Sequence, residues 1–61
     1  QPLNLQMFNL TGIMETKNGK YAIINNEILK EGMYFSGVYI SKILPTAVII
    51  KYGETEYKIT K

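Results

Sequence analysis

The 61-residue chain contains no Cys, His, Asp, Arg or Trp. Zinc and iron sites draw on Cys, His or Asp, and Ser or Cys nucleophiles are activated by His, so these kinds of chemistry lose their ligands or bases. Five Glu remain, but paired carboxylates need a walled substrate cleft that so short a chain can hardly build. We therefore expect a protein that is not an enzyme and that uses no metal and no cofactor.

Concentrated charge and long apolar runs are also missing. Seven Lys against five Glu give a net charge of +2, and the lysines are scattered at positions 17, 20, 30, 42, 51, 58 and 61. A nucleic-acid surface normally clusters its basic residues and uses Arg, so this pattern argues against nucleic acid as the partner. No apolar run approaches the roughly 20 residues of a membrane span, so we expect any membrane anchor to lie outside this sequence.

The residues that are abundant favour strands. Nine Ile, two Val, five Thr and five Tyr pack well on a pleated surface, and no stretch keeps a helical apolar period. A chain of this length forms one domain, here residues 1–61. The sequence predicts an all-β fold, a small antiparallel β-sandwich or partly open barrel of six to seven short strands.

The N-terminal stretch "LNLQMFNLTGIMET" changes phase. Leu3, Leu5 and Met7 alternate, and the apolar positions then shift to Phe8 and Leu10. Such a shift predicts a bulge or bend in a strand, with Gly12 able to turn a corner. We interpret residues 1–7 as the end of a linker from a longer, membrane-anchored protein.

Two pairs of turn residues predict the first hairpins. Asn-Gly at 18–19 predicts a two-residue turn that sets Met14 opposite Ile23. Lys17 then lies opposite Lys20, and because like charges repel, a loop longer than two residues is the alternative. Asn-Asn at 25–26 predicts a second turn, with Ile23 opposite Ile28 and a strand of about four residues that ends at 30–32.

The later strands have their own turn signals. Gly37 is expected to bend the segment 33–44, and Leu-Pro at 44–45 ends it. Gly-Glu at 53–54 predicts a type II′ hairpin whose inward face includes Val48 opposite Ile59, and whose other face is mixed. From that mixed face and an exposed edge we select five candidate partner-binding residues: Tyr39, Ile49, Lys51, Glu56 and Lys58. Ile49 has an alternative interpretation, in which a second sheet or the N-terminal segment covers it.

Four segments in this order carry a family resemblance: "LTGIM" at 10–14, "YAIIN" at 21–25, "ILKEGMYFSGVYISKI" at 28–43 and "AVIIKYGETEYKI" at 47–59. Across roughly residues 8–60 the chain resembles small periplasmic domains of type II secretion and type IV pilus assembly proteins. It is similar to the homology region of general secretion pathway protein C, to the pilus lipoprotein PilP and to the C-terminal domain of general secretion pathway protein B. Protein C and PilP usually have Gly-Asp where this chain has "EGM" at 31–33, and the phrase at 24–32 leans toward protein B.

The resemblance implies a non-enzymatic protein-interaction domain. In those families the domain couples the inner membrane to the outer-membrane secretin. The expected partner is therefore the secretin N-terminal domain or another inner-membrane assembly component, and the expected location is the periplasm.

Two other hypotheses about function are also consistent with the sequence. The segment 31–59 also resembles an S1-type oligonucleotide-binding barrel, in which Tyr34, Phe35 and Tyr39 would stack on bases. An SH3-like structural module of a larger protein is the third possibility.

Overall fold

The computed structural model describes residues 4–61. It contains two antiparallel sheets that are not closed into a barrel, which confirms the all-β prediction and its seven-strand upper count. The three-stranded sheet has the order β1-β2-β3 and the four-stranded sheet the order β4-β5-β6-β7. The strands are β1 (Leu10–Thr16), β2 (Gly19–Ile24), β3 (Glu27–Lys30), β4 (Tyr34–Phe35), β5 (Val38–Ile43), β6 (Ala47–Tyr52) and β7 (Thr55–Thr60).

One aliphatic core lies between the two sheets. Alternation along each strand turns every second side chain inward, which is why short stretches of Ile, Val and Leu suffice to build it. The six largest side chains that are less than 2% exposed are Ile24, Val38, Ile40, Ile43, Val48 and Ile50. Burying an aliphatic side chain of this size contributes about 1.5 to 3 kcal/mol, so these positions dominate the stability of the domain.

Two of the predicted hairpins are confirmed in turn and register. Asn25 and Asn26 both have positive φ, 52° and 66°, as a type I′ turn requires, and Ile23 pairs with Ile28. In the last hairpin Gly53 has φ 63°, and all six strand pairs follow the expected register, from the turn to Ala47 opposite Thr60.

The first hairpin differs from its prediction. The turn residues are Lys17 and Asn18, and Gly19, at φ 126°, already belongs to β2. The Thr16 hydroxyl explains the choice, because its Oγ1 accepts from the Asn18 N–H at 3.1 Å and donates to the Gly19 carbonyl at 3.0 Å. Lys20 consequently lies opposite Glu15 rather than Lys17, so the like-charge pair does not form.

The N-terminal phase shift arises from a turn of 3-10 helix, Leu5–Met7, and not from a bulge at that point. The bulge lies later, between Leu10 and Gly12, and it allows both Leu10 and Ile13 to face the core. Leu5 packs against the core, so residues 4–7 lie on the domain, whereas Leu3 falls outside the described residues.

Gly37 makes a turn rather than a bend. Ser36 and Gly37 have φ 51° and 86° and form the two-residue turn between β4 and β5, so the segment 33–44 is a hairpin and not one strand. As predicted, β5 ends at Ile43, directly before Leu-Pro at 44–45.

Candidate interaction surface

All five candidate residues lie on the outward-facing side of the four-stranded sheet. Tyr39, Lys51 and Glu56 lie side by side across β5, β6 and β7, and Ile49 and Lys58 are paired in the next row. Cross-strand partners point to the same face, so the register alone brings these side chains together. We call this side the outer face: Tyr34, Tyr39, Lys42, Ile49, Lys51, Glu56 and Lys58.

Tyr34 is a member of the outer face that the partner-binding prediction did not include. It pairs with Tyr39, the two ring centroids lie 5.0 Å apart at an interplanar angle of 55°, and Tyr34 is 76% exposed. Ser-Gly at 36–37 was the available signal, because a two-residue turn there places residues 34 and 39 on the same face.

Phe35 does not belong to an exposed aromatic platform. It points inward and packs against the core, where its ring meets that of Phe8 edge-on at a centroid distance of 6.3 Å. The oligonucleotide-binding interpretation, which counted Phe35 as a stacking ring, is therefore wrong at this residue. The rings of Tyr34 and Tyr39 remain on the surface.

Ile49 faces away from the three-stranded sheet, so that sheet does not cover it. Its cross-strand neighbours are Lys42 and Lys58, and the side chain is half-buried. Lysine stems are apolar and commonly lie along neighbouring aliphatic surface while their ammonium groups stay in water. Ile49 is thus an apolar position between two cations.

A shallow depression of about 320 Å³ opens at one end of the outer face. Tyr34, Tyr39 and Lys51 line it together with Gly37 and Gly53 from two hairpin turns, so the walls rise little above the sheet. Rings beside an ammonium group suit an apolar or anionic group of a partner, because each ring offers apolar area and Lys51 offers a positive charge.

The outward side of the three-stranded sheet is the other exposed apolar region. Ile28 is 60% exposed and Met14 is 40% exposed, with Tyr21 and Ile23 half-buried between them. The Lys30 Nζ lies 5.4 Å from the centroid of the Tyr21 ring, a cation-π contact that partly covers this side. None of these residues is among the partner-binding candidates predicted from the sequence.

Strand β7 forms a free edge. It is the last strand of the four-stranded sheet, and within residues 4–61 it makes no backbone hydrogen bond apart from its ladder with β6. An unpaired strand edge offers a row of donors and acceptors to another chain.

Comparison with known proteins finds no match to this chain among family models, curated proteins or solved structures. Residues 4–61 hold no group of three or more His, Cys, Asp or Glu side chains that could bind a metal ion. None of the helical segments in that range has the length and apolar character needed to cross a bilayer.

Proposed function

We propose that this chain is a non-enzymatic protein-binding domain of a bacterial secretion or pilus-assembly machine, and that its outer face docks on the partner. The observation that carries the proposal is that the exposed Tyr34, the half-buried Tyr39 and Ile49, and four charged side chains lie together on one side of a sheet. The resemblance across residues 8–60 supplies the partner: the secretin N-terminal domain or an inner-membrane assembly component.

The two tyrosines of the outer face are typical of a contact surface between proteins. Tyrosine is enriched where proteins bind each other, because it offers a large rigid apolar area and a polar hydroxyl. Tyr34 and Tyr39 lie in contact, with Tyr34 76% exposed and Tyr39 half-buried, and Ile49 lies one row away. Burial of such a cluster at the centre of an interface is the usual source of most of the binding free energy.

The charges of the outer face favour an acidic partner surface. The outer face carries three lysines, Lys42, Lys51 and Lys58, and one glutamate, Glu56. Its net charge is therefore positive. Complementary charge raises the association rate of two proteins. Added salt screens the charges and lowers that rate again. Binding of the proposed partner should therefore weaken with salt mainly through slower association.

The location of the domain follows from the same resemblance. We place it in the periplasm, attached to the inner membrane through a segment outside this sequence. From there the outer face would couple the inner-membrane part of the machine to the secretin.

We predict that the double variant Ile49→Thr/Tyr34→Ala binds a cognate secretin N-terminal domain at least about tenfold more weakly, since each lost central contact costs on the order of 1 kcal/mol or more. Isotope-labelled chain titrated with that domain would give both the affinity and the amides that shift.

The matched control is Ile28→Thr, which makes the same isoleucine change on the outward side of the three-stranded sheet. It should leave the affinity unchanged. Equal loss in both variants, or shifts confined to the three-stranded sheet, would show that the partner uses the other side.

A second candidate function has one specific observation in its favour. The Tyr34 and Tyr39 rings beside Lys51 form a small stacking surface of the kind that single-stranded nucleic acids use. In that case a short single-stranded oligonucleotide would shift the same amides, and its affinity would fall steeply with salt through counterion release. A purely structural module would respond to neither ligand.

A further inference from the structure

The backbone of β7 has an alternating pattern of used and unused hydrogen-bonding groups. Tyr52 and Thr55 flank the two-residue turn and form a hydrogen-bonded pair, so every second pair along the ladder is bonded. Tyr57 and Ile59 therefore direct their backbone groups toward β6. Glu56, Lys58 and Thr60 direct theirs to the free edge.

The side chains along this edge are self-complementary in charge. Glu56 and Lys58 both point to the outer face and are exposed, and Tyr57 between them points inward and is half-buried. A two-fold axis through Tyr57 that reverses the strand exchanges positions 56 and 58. Each glutamate then meets a lysine of the other copy.

We infer that β7 pairs antiparallel with β7 of a second copy of this chain around a two-fold axis at Tyr57. Glu56 and Lys58 are the residues with free backbone groups, so this register forms hydrogen bonds between Glu56 of one copy and Lys58 of the other, in both directions. The two four-stranded sheets become one eight-stranded sheet, and the free edge is removed.

Other registers are less favourable for definite reasons. An axis at Glu56 sets two glutamates opposite each other, and an axis at Lys58 sets two lysines opposite each other, which destabilises both pairings. A shift by one residue would turn the inward side chains of one copy to the outer face of the other. Among the residues of β7 itself, only the axis at Tyr57 pairs unlike charges twice, and it also places the two half-buried tyrosines against each other.

This inference is independent of the proposed function. It uses the backbone and charges of β7, whereas partner docking is assigned chiefly to Tyr34, Tyr39 and Ile49. Dimerisation can therefore fail while the outer face still binds its partner, and the reverse also holds.

The test is a charge exchange followed by sedimentation of the 61-residue chain over a range of concentrations. We expect a monomer-dimer equilibrium for the natural sequence. Glu56→Lys and Lys58→Glu should each raise the dimer dissociation constant at least tenfold, because both create like-charge pairs, and the double exchange should restore it to within about threefold. Lys42→Glu is the control, since it makes the same charge change on the same side of the sheet but away from the edge.

Cysteine variants check the register. The chain has no cysteine, so each single variant carries one thiol. Tyr57→Cys should form a disulfide-linked dimer on oxidation, whereas Lys58→Cys should not, because the two positions 58 lie too far apart when each faces position 56. A chain that stays monomeric at millimolar concentration, a dimer insensitive to the charge exchange, or cross-linking at position 58 would each overturn the inference.

Discussion

Asn25 has both a turn conformation and two side-chain hydrogen bonds to the N-terminal segment. Its φ of 52° places it in the left-handed region that the type I′ turn needs. Its side-chain Oδ1 accepts from the Asn9 N–H at 2.8 Å, and its Nδ2 donates to the Met7 carbonyl at 2.9 Å. One amide side chain thereby fastens the N-terminal segment to the hairpin between β2 and β3.

We predict that Asn25→Gly destabilises the domain by about 1 to 3 kcal/mol, because glycine keeps the turn but loses both side-chain hydrogen bonds. Asn25→Asp should also destabilise, since a carboxylate would face the Met7 carbonyl without a donor. The measurement is the free energy of unfolding in urea.

Asn26→Gly is the matched control for this prediction. Asn26 shares the positive φ but makes no side-chain hydrogen bond within residues 4–61. Its replacement should change the free energy of unfolding by less than about 0.5 kcal/mol. Similar losses of unfolding free energy at both positions would mean that the turn conformation, and not the side-chain hydrogen bonds of Asn25, accounts for the destabilisation.

At the scale of the elements, β5 is longer than the strand beside it. Strand β4 covers only the start of β5, and two further bonds link Ile40 to Gly32 and Met33. The Ile43 N–H lies beyond that cover, and Glu31 Oε2 accepts from it at 2.8 Å. A side chain thus completes the edge where the neighbouring strand is missing.

Glu31→Ala should cost about 1 to 3 kcal/mol of folding free energy, because a partly buried N–H loses its acceptor. Glu31→Gln keeps an acceptor oxygen and should cost less. Amide hydrogen exchange at Ile43 reports the change directly and should accelerate in Glu31→Ala. Glu54→Ala, at an exposed turn position, is the control; equally fast exchange in that variant would rule out a local effect of Glu31.

At the scale of the whole molecule, small size makes each core residue important. A chain of 61 residues is expected to have a free energy of unfolding of roughly 3 to 9 kcal/mol. The core is one cluster shared by both sheets, so a cavity there weakens the packing between them.

Ile49 and Ile50 give a neighbouring pair that separates core from surface. Ile50→Ala empties a side chain that is fully buried and should cost about 2 to 5 kcal/mol, which corresponds to a fall in Tm of about 8 °C or more. Ile49→Ala removes a half-buried side chain on the outer face and should lower Tm much less. Equal falls in a thermal scan would contradict the assignment of Ile49 to the surface.

Local sequence patterns are sufficient to predict the strand content and the hairpins at Asn25 and Gly53. A turn residue with positive φ and the alternation of the flanking strands are local properties, and they fix the register of a two-residue hairpin. All five candidate residues lie on strands β5 to β7, where the register of these strands joins them on one face.

Contacts between distant parts of the chain set the features that local patterns leave open. The turn at Lys17 and Asn18 is a local exception, because the Thr16 hydroxyl bonds to groups only two and three residues away and outweighs the Asn-Gly signal. The packing of Phe35 against Phe8 and the free edge at β7 follow from sheet order and from packing across the core. Those contacts join residues far apart in the chain, so no short stretch of sequence contains the information that sets them.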